Sequence, residues 1–229
     1  MTLAPRLYFS FRSPYSWMAV ERLRRVLPDL FERIELIPYW DPDPPTRQAL
    51  KERDAEPPYQ QMSKAKHLYV LVDTKRLATR LGLHLAWPVD DDPWWELPHL
   101  GWLVAQQAGV GQRCYDALIA ARWGAGLDIC DDEVFTRVLT DVGLDGAAIS
   151  TAAHDETTRA AGVSCLAAAH EDDIFGVPYL RLGRQRFWGY DRVEMFLDEL
   201  RQRRATDPPL VPVGIPVGAY DRDTAGGCG

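Results

Sequence analysis

The stretch Leu7-Tyr8-Phe9-Ser10-Phe11-Arg12-Ser13-Pro14-Tyr15-Ser16-Trp17 decides how the rest of the chain is read. The apolar run from Tyr8 to Phe11 predicts a strand, and it leads directly into an amphipathic pattern, Pro14 to Leu27, that predicts a helix. Ser13 before Pro14 is an ordinary helix start: the hydroxyl caps free backbone N–H groups, and proline has no N–H to lose at the first helical position. A second strand is expected at Arg33 to Tyr39, bearing Ile34, Leu36 and Ile37. Strand, crossover helix and strand imply a parallel pair joined right-handedly, with ligands at the carboxyl end of the first strand, where Ser13 stands.

Beyond this unit, the run Asp41-Pro42-Asp43-Pro44-Pro45 breaks the pattern, a brief helical stretch covers Ala49 to Arg53, and Pro57-Pro58 marks a boundary. Helical periodicity then covers Gln60 to Leu81 (closed by Gly82), Trp94 to Gly109, Gly111 to Gly124, Asp132 to Val142 and Asp145 to His170, with His154 to Ala169 as one long helix. Strands return at Val177 to Leu182 and Gln185 to Trp188 around Gly183-Arg184, a hairpin connection, and Asp191 to Arg203 is a last amphipathic helix. After Arg204 the chain is rich in Pro and Gly, which predicts an extended tail. The fold class is α/β: one domain from 1–56 and 171–204, interrupted by an all-helical insertion over 57–170, with a tail at 205–229.

A net charge of −7 offers no general attraction to phosphate backbones or anionic lipid, so neither nucleic acid nor a membrane is expected as a partner. No run reaches the length of a membrane span, and Met1 to Arg6 lacks the charged and apolar regions of a secretory leader, so a cytoplasmic location is expected. Cys114, Cys130, Cys165 and Cys228 are widely spaced and form neither a Cys-x-x-Cys pair nor a zinc ligand set; buried free thiols account for them, and no metal is expected.

In thioredoxin-like proteins a Cys-x-x-Cys motif opens the first helix after the first strand, and the helix end holds its sulfur as thiolate. Here that slot reads Ser13-Pro14-Tyr15-Ser16. Serine cannot exchange disulfides, but its O–H can donate to the thiolate of a small thiol bound at the same positive helix end. Phe175-Gly176-Val177-Pro178-Tyr179 lies where such folds present a cis-proline, and there the Val177 backbone could pair with a thiol peptide; the alternative is a trans proline at a strand start. In Trp188-Gly189-Tyr190-Asp191-Arg192, Asp191 is expected to cap the last helix and could also take a ligand ammonium group. The five histidines lie in the helical part without a triad-like motif and read as surface or satisfied core residues. Tyr39, Trp40, Trp87, Trp94, Trp95 and Trp102 could stack on a flat unsaturated substrate, although core packing explains most of them.

Taken together, Ser13-Pro14-Tyr15-Ser16, Gly176-Val177-Pro178 and Trp188-Gly189-x-Asp191-Arg192 resemble the kappa-class glutathione transferase and 2-hydroxychromene-2-carboxylate isomerase family. Lys66-x-x-Tyr69-x-x-x-Asp73-x-x-Arg76-x-Ala78 before Leu81-Gly82-Leu83, and Trp123-x-x-Gly126-x-Asp128-Ile129, are similar to the family's helical signatures. The resemblance spans Leu7 to Leu200. It implies a thioredoxin-like domain with a helical insertion, a homodimer, and glutathione with its sulfur at Ser13. The cofactor site implied comprises Ser13, Ser16, Val177, Pro178, Trp188, Gly189, Tyr190 and Asp191, with substrate toward Tyr15, Trp40 and Trp87. Asp73 and Arg76, three apart on one helix, read as a structural pair. The chain departs from the family pattern in having Ser10 where many members have Asp, and in lacking an asparagine between Trp40 and Thr46, so another low-molecular-weight thiol stays open.

The chemistry expected is reversible thiolate addition to a conjugated double bond of a small molecule, which turns rotation about a double bond into rotation about a single one. Two alternatives share the fold: a transferase in which the thiolate leaves with the substrate, and a non-catalytic binding protein. A dithiol oxidoreductase is the least expected reading, because the motif lacks a cysteine pair.

Overall fold

The structure, a computed structural model, describes residues 4–55 and 63–205. Its sheet has four strands, β1 (Arg6–Phe9), β2 (Glu35–Pro38), β3 (Tyr179–Leu182) and β4 (Gln185–Trp188), in the order β2-β1-β3-β4. The β1 and β2 strands are parallel with Leu7 opposite Leu36, whereas β3 runs antiparallel to β1 with Tyr8 opposite Tyr179. Leu7, Tyr8 and Phe9 are all fully buried, so both faces of β1 are covered and the strand reads as a continuous apolar run. It ends at Phe9, two residues earlier than the apolar pattern suggests. The N–H groups of Ser10 and Phe11 go to the Ser16 hydroxyl and the His99 ring and are lost to any ladder.

Helix α1 (Pro14–Arg24) starts at the Ser13 cap and buries Trp17, Met18, Ala19, Val20 and Leu23. A single turn, α2 (Leu30–Arg33), precedes β2 and takes residues that the periodicity assigns partly to the strand. The proline-rich break at residues 41–45 is a helix start. Asp43 accepts the Thr46 N–H, two prolines occupy the first turn, and α3 runs Pro44–Lys51 in place of the expected Ala49 to Arg53.

The helical lobe comprises α4 (Lys64–Leu81), α5 (Glu96–Gln107), α6 (Gly111–Ile119), α7 (Asp132–Asp141) and α8 (Gly146–Ala153). Gly82 closes α4 with φ of 67°, a conformation that glycine reaches without a Cβ penalty. The expected start of α4 at Gln60 and the Pro57-Pro58 boundary lie outside the described residues, as do Cys228 and the tail beyond 205. The run expected over Gly111 to Gly124 is α6 continued by a π-helical turn, Ala120–Gly124. The long stretch from Asp145 to His170 breaks near His154 into α8 and α9 (Glu156–Glu171). Helix α9 packs on α5 and also on α3 and β2, which joins the lobe to the sheet. The last helix, α10 (Val193–Ala205), follows a 3-10 turn at Tyr190–Arg192.

The two parts share one core. The Phe9 ring meets Trp102 edge-on at 5.1 Å and Tyr115 at 5.6 Å, and Phe11 lies 5.5 Å from Tyr115. On the other side of β1, the Tyr8 hydroxyl donates to Asp172 at 2.5 Å, and Arg6 and Arg181 both pair with that carboxylate. A nearly buried acid is thereby satisfied by three donors from β1 and β3.

Candidate active site

Four backbone N–H groups lie in the turn from β1 into α1, and each has an acceptor. Ser10 N–H donates to Ser16 Oγ (3.3 Å), Phe11 N–H to His99 Nε2 (3.2 Å), Arg12 N–H to Ser10 Oγ (3.2 Å) and Ser13 N–H to the Ser10 carbonyl (3.1 Å). The Phe11 carbonyl accepts the Trp123 indole N–H at 3.2 Å. Every backbone N–H of the turn that carries Ser13 is thus satisfied.

Ser13 stands at the amino end of α1. Its Oγ accepts the Ser16 N–H at 3.1 Å, and its O–H faces the Val177 carbonyl at 3.5 Å. Pro14 has no N–H and Trp17 N–H takes the Ser13 carbonyl at 3.2 Å, which leaves the Tyr15 N–H as the first-turn donor outside the helix's own bonding. The first turn of α1 holds no acidic residue, and Arg22 and Arg24 sit in its last turn, so no side chain of the helix neutralises the positive end. The Val177–Pro178 peptide is cis, and the Pro178 carbonyl accepts the Gly189 N–H at 2.9 Å.

Trp188, opposite Tyr179 in the hairpin, is 41% exposed and packs edge-on against Phe175 at 4.9 Å. Gly176 lies under the indole; a Cβ there would stand 2.9 Å from Nε1. Ser13, Val177, Pro178, Trp188 and Gly189 thus form one contiguous patch, whereas Ser16, expected at the cofactor, is fully buried with its hydroxyl taken by the Ser10 N–H. Tyr190 lies in the 3-10 turn that packs on α1. The expectation that Asp191 caps the last helix is corrected: the turn has no side-chain cap, and the Asp191 carboxylate is exposed and pairs with Arg192 at 2.6 Å.

The residues expected on the substrate side are dispersed. Trp40 is 3% exposed, stacks on His99 at 5.0 Å and gives its indole N–H to Glu96 at 2.6 Å. It therefore supports the β1–α1 turn from behind and has no free face for a substrate. The reason is the neighbouring loop, where the Asp43 N–H donates to Glu96 at 2.8 Å and the Asp43 carboxylate takes Arg159 and the Trp94 indole. The Tyr15 hydroxyl is committed to Asp73 on α4 at 2.9 Å, and Asp73 also forms the expected pair with Arg76 at 2.7 Å. Trp87 is partly exposed and meets Trp123 at 5.6 Å; Trp123 in turn stacks on Trp17 and bonds Phe11, so Trp87 borders the turn from the lobe side.

Burial tunes several groups. It drives the His99 ring down to about 3, helped by the nearby Arg122 charge and opposed by the bond to the Trp95 carbonyl, so the imidazole is neutral. Burial pushes Glu96 up to about 7 against the bonds from Asp43 and Trp40. Asp43 goes the other way, to about 2: burial raises it, but the Arg159 and Thr46 hydrogen bonds outweigh that. The thiols of Cys114 and Cys165 are pushed by burial up to about 12 and about 11, and Cys130 is raised as well, so none is a ready nucleophile.

Sequence reasoning missed His99 and Arg122. Arg122 is buried between the Trp95 and Trp123 rings at 4.7 and 4.9 Å and takes Asp90 in a bidentate pair at 2.7 and 2.9 Å. The motif around Trp123 was the one available pointer to it. Nothing local marks His99 for the turn: apart from the Trp95 carbonyl four positions back, its partners Phe11 and Ser10 lie 88 and 89 positions away.

With this geometry in place, the comparisons with known proteins are specific. The DSBA-like thioredoxin domain family matches residues 6–201, and the chain belongs to that family. It is 26% identical over 199 residues to 2-hydroxychromene-2-carboxylate isomerase of Sphingobium xenophagum, covering 85% of this chain and 96% of the relative. The protein of the same name from Pseudomonas putida is 26% identical over 201 residues, covering 82% and 89%. A solved 2-hydroxychromene-2-carboxylate isomerase superposes with a TM-score of 0.68 at 23% identity, over 89% of this chain and 98% of that one, and confirms the shared fold. Among the described residues no helix is long and apolar enough to cross a membrane.

Proposed function

We propose that the protein is an isomerase that uses glutathione, or another small thiol, to isomerise a conjugated double bond in an aromatic or polyene small molecule. The observation that carries this reading is the Ser13 hydroxyl at the start of a helix whose own first turn holds no acidic residue, facing the Val177 carbonyl across the cis-proline turn. The site fits a thiol peptide. Ser13 has an O–H donor whose acceptor stands at the long limit of hydrogen bonding, Tyr15 offers an N–H, Val177 presents its backbone beside Ser13, and Trp188 supplies an exposed wall.

A bound thiol would supply the nucleophile for reversible addition to the conjugated bond. The chain's own residues do the rest. Ser13 donates to the sulfur and, with the α1 dipole, favours its anionic form; Ser16 holds Ser13 through its N–H; Val177 and Pro178 set the edge on which the peptide lies. Ser13 and Ser16 stand where a disulfide enzyme needs cysteines, which supports isomerisation over thiol exchange. The names of the two curated relatives support a chromene carboxylate or similar substrate.

The test is product analysis with glutathione and 2-hydroxychromene-2-carboxylate. An isomer formed with the thiol conserved is expected. A stable thioether with thiol consumed would replace isomerase by transferase, and absence of thiol binding in calorimetry would remove both.

A further inference from the structure

We propose that His99 is the positioning residue of the thiol site: from the helical lobe, its unprotonated Nε2 fixes the turn that aims the Ser13 hydroxyl. The functional half of this inference rests on the thiol-site reading above; the structural half does not.

The tautomer follows from donors and acceptors. His99 Nδ1 lies 2.6 Å from the Trp95 carbonyl oxygen, which can only accept, so Nδ1 carries the proton. Nε2 is then a lone-pair acceptor, and two donors converge on it: the Phe11 N–H at 3.2 Å and the Ser10 hydroxyl at 3.2 Å. Ser10 Oγ already accepts the Arg12 N–H, which directs its own hydrogen to the ring. Among the side chains of the lobe, His99 and Trp123 both bond the Phe11 peptide, His99 at its N–H and Trp123 at its carbonyl.

From the ring, the path to Ser13 is short. His99 orders Ser10 and Phe11; Ser10 gives its N–H to Ser16 Oγ and its carbonyl to Ser13 N–H; Ser16 gives its N–H to Ser13 Oγ. A protonated ring would set a third donor against two, and the surroundings oppose that form. His99 is fully buried against the Trp40, Trp95 and Phe11 rings, and the Arg122 guanidinium is the charge facing it. His99 is therefore a fixed acceptor and not an acid or base in the reaction.

Four measurements decide this. In wild-type protein, nitrogen NMR of the ring should show Nδ1 protonated and Nε2 bare, unchanged between about pH 6 and pH 8; a proton on Nε2, or titration in that range, overturns the proposal without any variant. In His99→Phe, which keeps a ring but no acceptor, the ultraviolet thiolate absorbance of bound glutathione should titrate about one unit higher. The same variant should lose kcat roughly tenfold or more with KM for the unsaturated substrate unchanged, and His99→Gln, with an amide oxygen for the Phe11 N–H, should recover part of both. A His99→Phe protein with wild-type thiol titration and kcat overturns the proposal while leaving the Ser13 reading intact, provided Ser13→Ala moves both. If wild-type protein binds no thiol, the thiol-site reading fails, and amide exchange decides the positioning role: Phe11 N–H should exchange about tenfold faster in His99→Phe, and an unchanged rate overturns it.

Discussion

The Trp40 indole N–H donates to the Glu96 carboxylate at 2.6 Å inside the protein, with both residues under 4% exposed. This bond makes an acid part of the wall behind the β1–α1 turn, since Trp40 stacks on His99. Burial lifts Glu96 from 4.5 to about 7, so between those pH values the folded state holds a proton that the unfolded chain has released. Its contribution to stability is complete below the unfolded value and is lost as pH rises through the folded one. Glu96→Gln cannot titrate. The stability of wild-type protein relative to Glu96→Gln should therefore fall from pH 5 to pH 8, by up to about 3 kcal/mol. Urea unfolding at the two pH values measures it, and a difference that stays flat or grows contradicts the assignment.

Arg122 is buried with its two Nη atoms on Asp90, so truncating it strands a carboxylate and opens a gap between Trp95 and Trp123. Arg122→Leu should cost about 3 kcal/mol in denaturant unfolding. Asp90→Asn should cost less, because its oxygen still accepts one guanidinium N–H. Equal and small effects would show that the pair does not hold the π-helical turn.

Gly176 has no room for a side chain under Trp188. Gly176→Ala should displace the exposed indole, weaken glutathione binding roughly fivefold, about 1 kcal/mol, and leave the melting temperature within about 2 °C. Calorimetry and thermal unfolding of the same preparation read both. Unaltered affinity would take Trp188 out of the thiol site.

The cysteines supply a control. Burial raises the thiols of Cys114, Cys130 and Cys165, and none of the three belongs to the Ser13 patch. Iodoacetamide at neutral pH should therefore leave turnover intact, and the protein should not reduce insulin disulfides. Inactivation that tracks alkylation of one of the three would place a thiol in the mechanism.

What the sequence reveals here is local. A serine and a proline after an apolar strand specify the β1–α1 turn, Gly82 marks the end of α4, and Val177-Pro178 marks the loop that meets Ser13; each signal lies within a few residues of the structure it makes. Trp40 shows the limit. An aromatic in a loop reads the same whether it stacks on substrate or on His99, and only the lobe packed against it, with Glu96 56 positions away, separates the two. The same holds for His99 with Ser10, a pair that exists only once the helical lobe closes on the sheet, and for Arg122 with Asp90, which lie 32 positions apart within the lobe itself. The end of β1 is illegible for a related reason: the N–H groups of Ser10 and Phe11 bond side chains, one of them on α5.

The most direct test is the titration of glutathione bound to wild-type and Ser13→Ala protein, followed by thiolate absorbance together with turnover of a verified substrate. If the Ser13 hydroxyl holds the sulfur anion, the variant's bound thiol should titrate about one to two units higher and turnover should drop roughly tenfold to a hundredfold. Wild-type turnover with an unmoved thiol titration in Ser13→Ala would contradict the account.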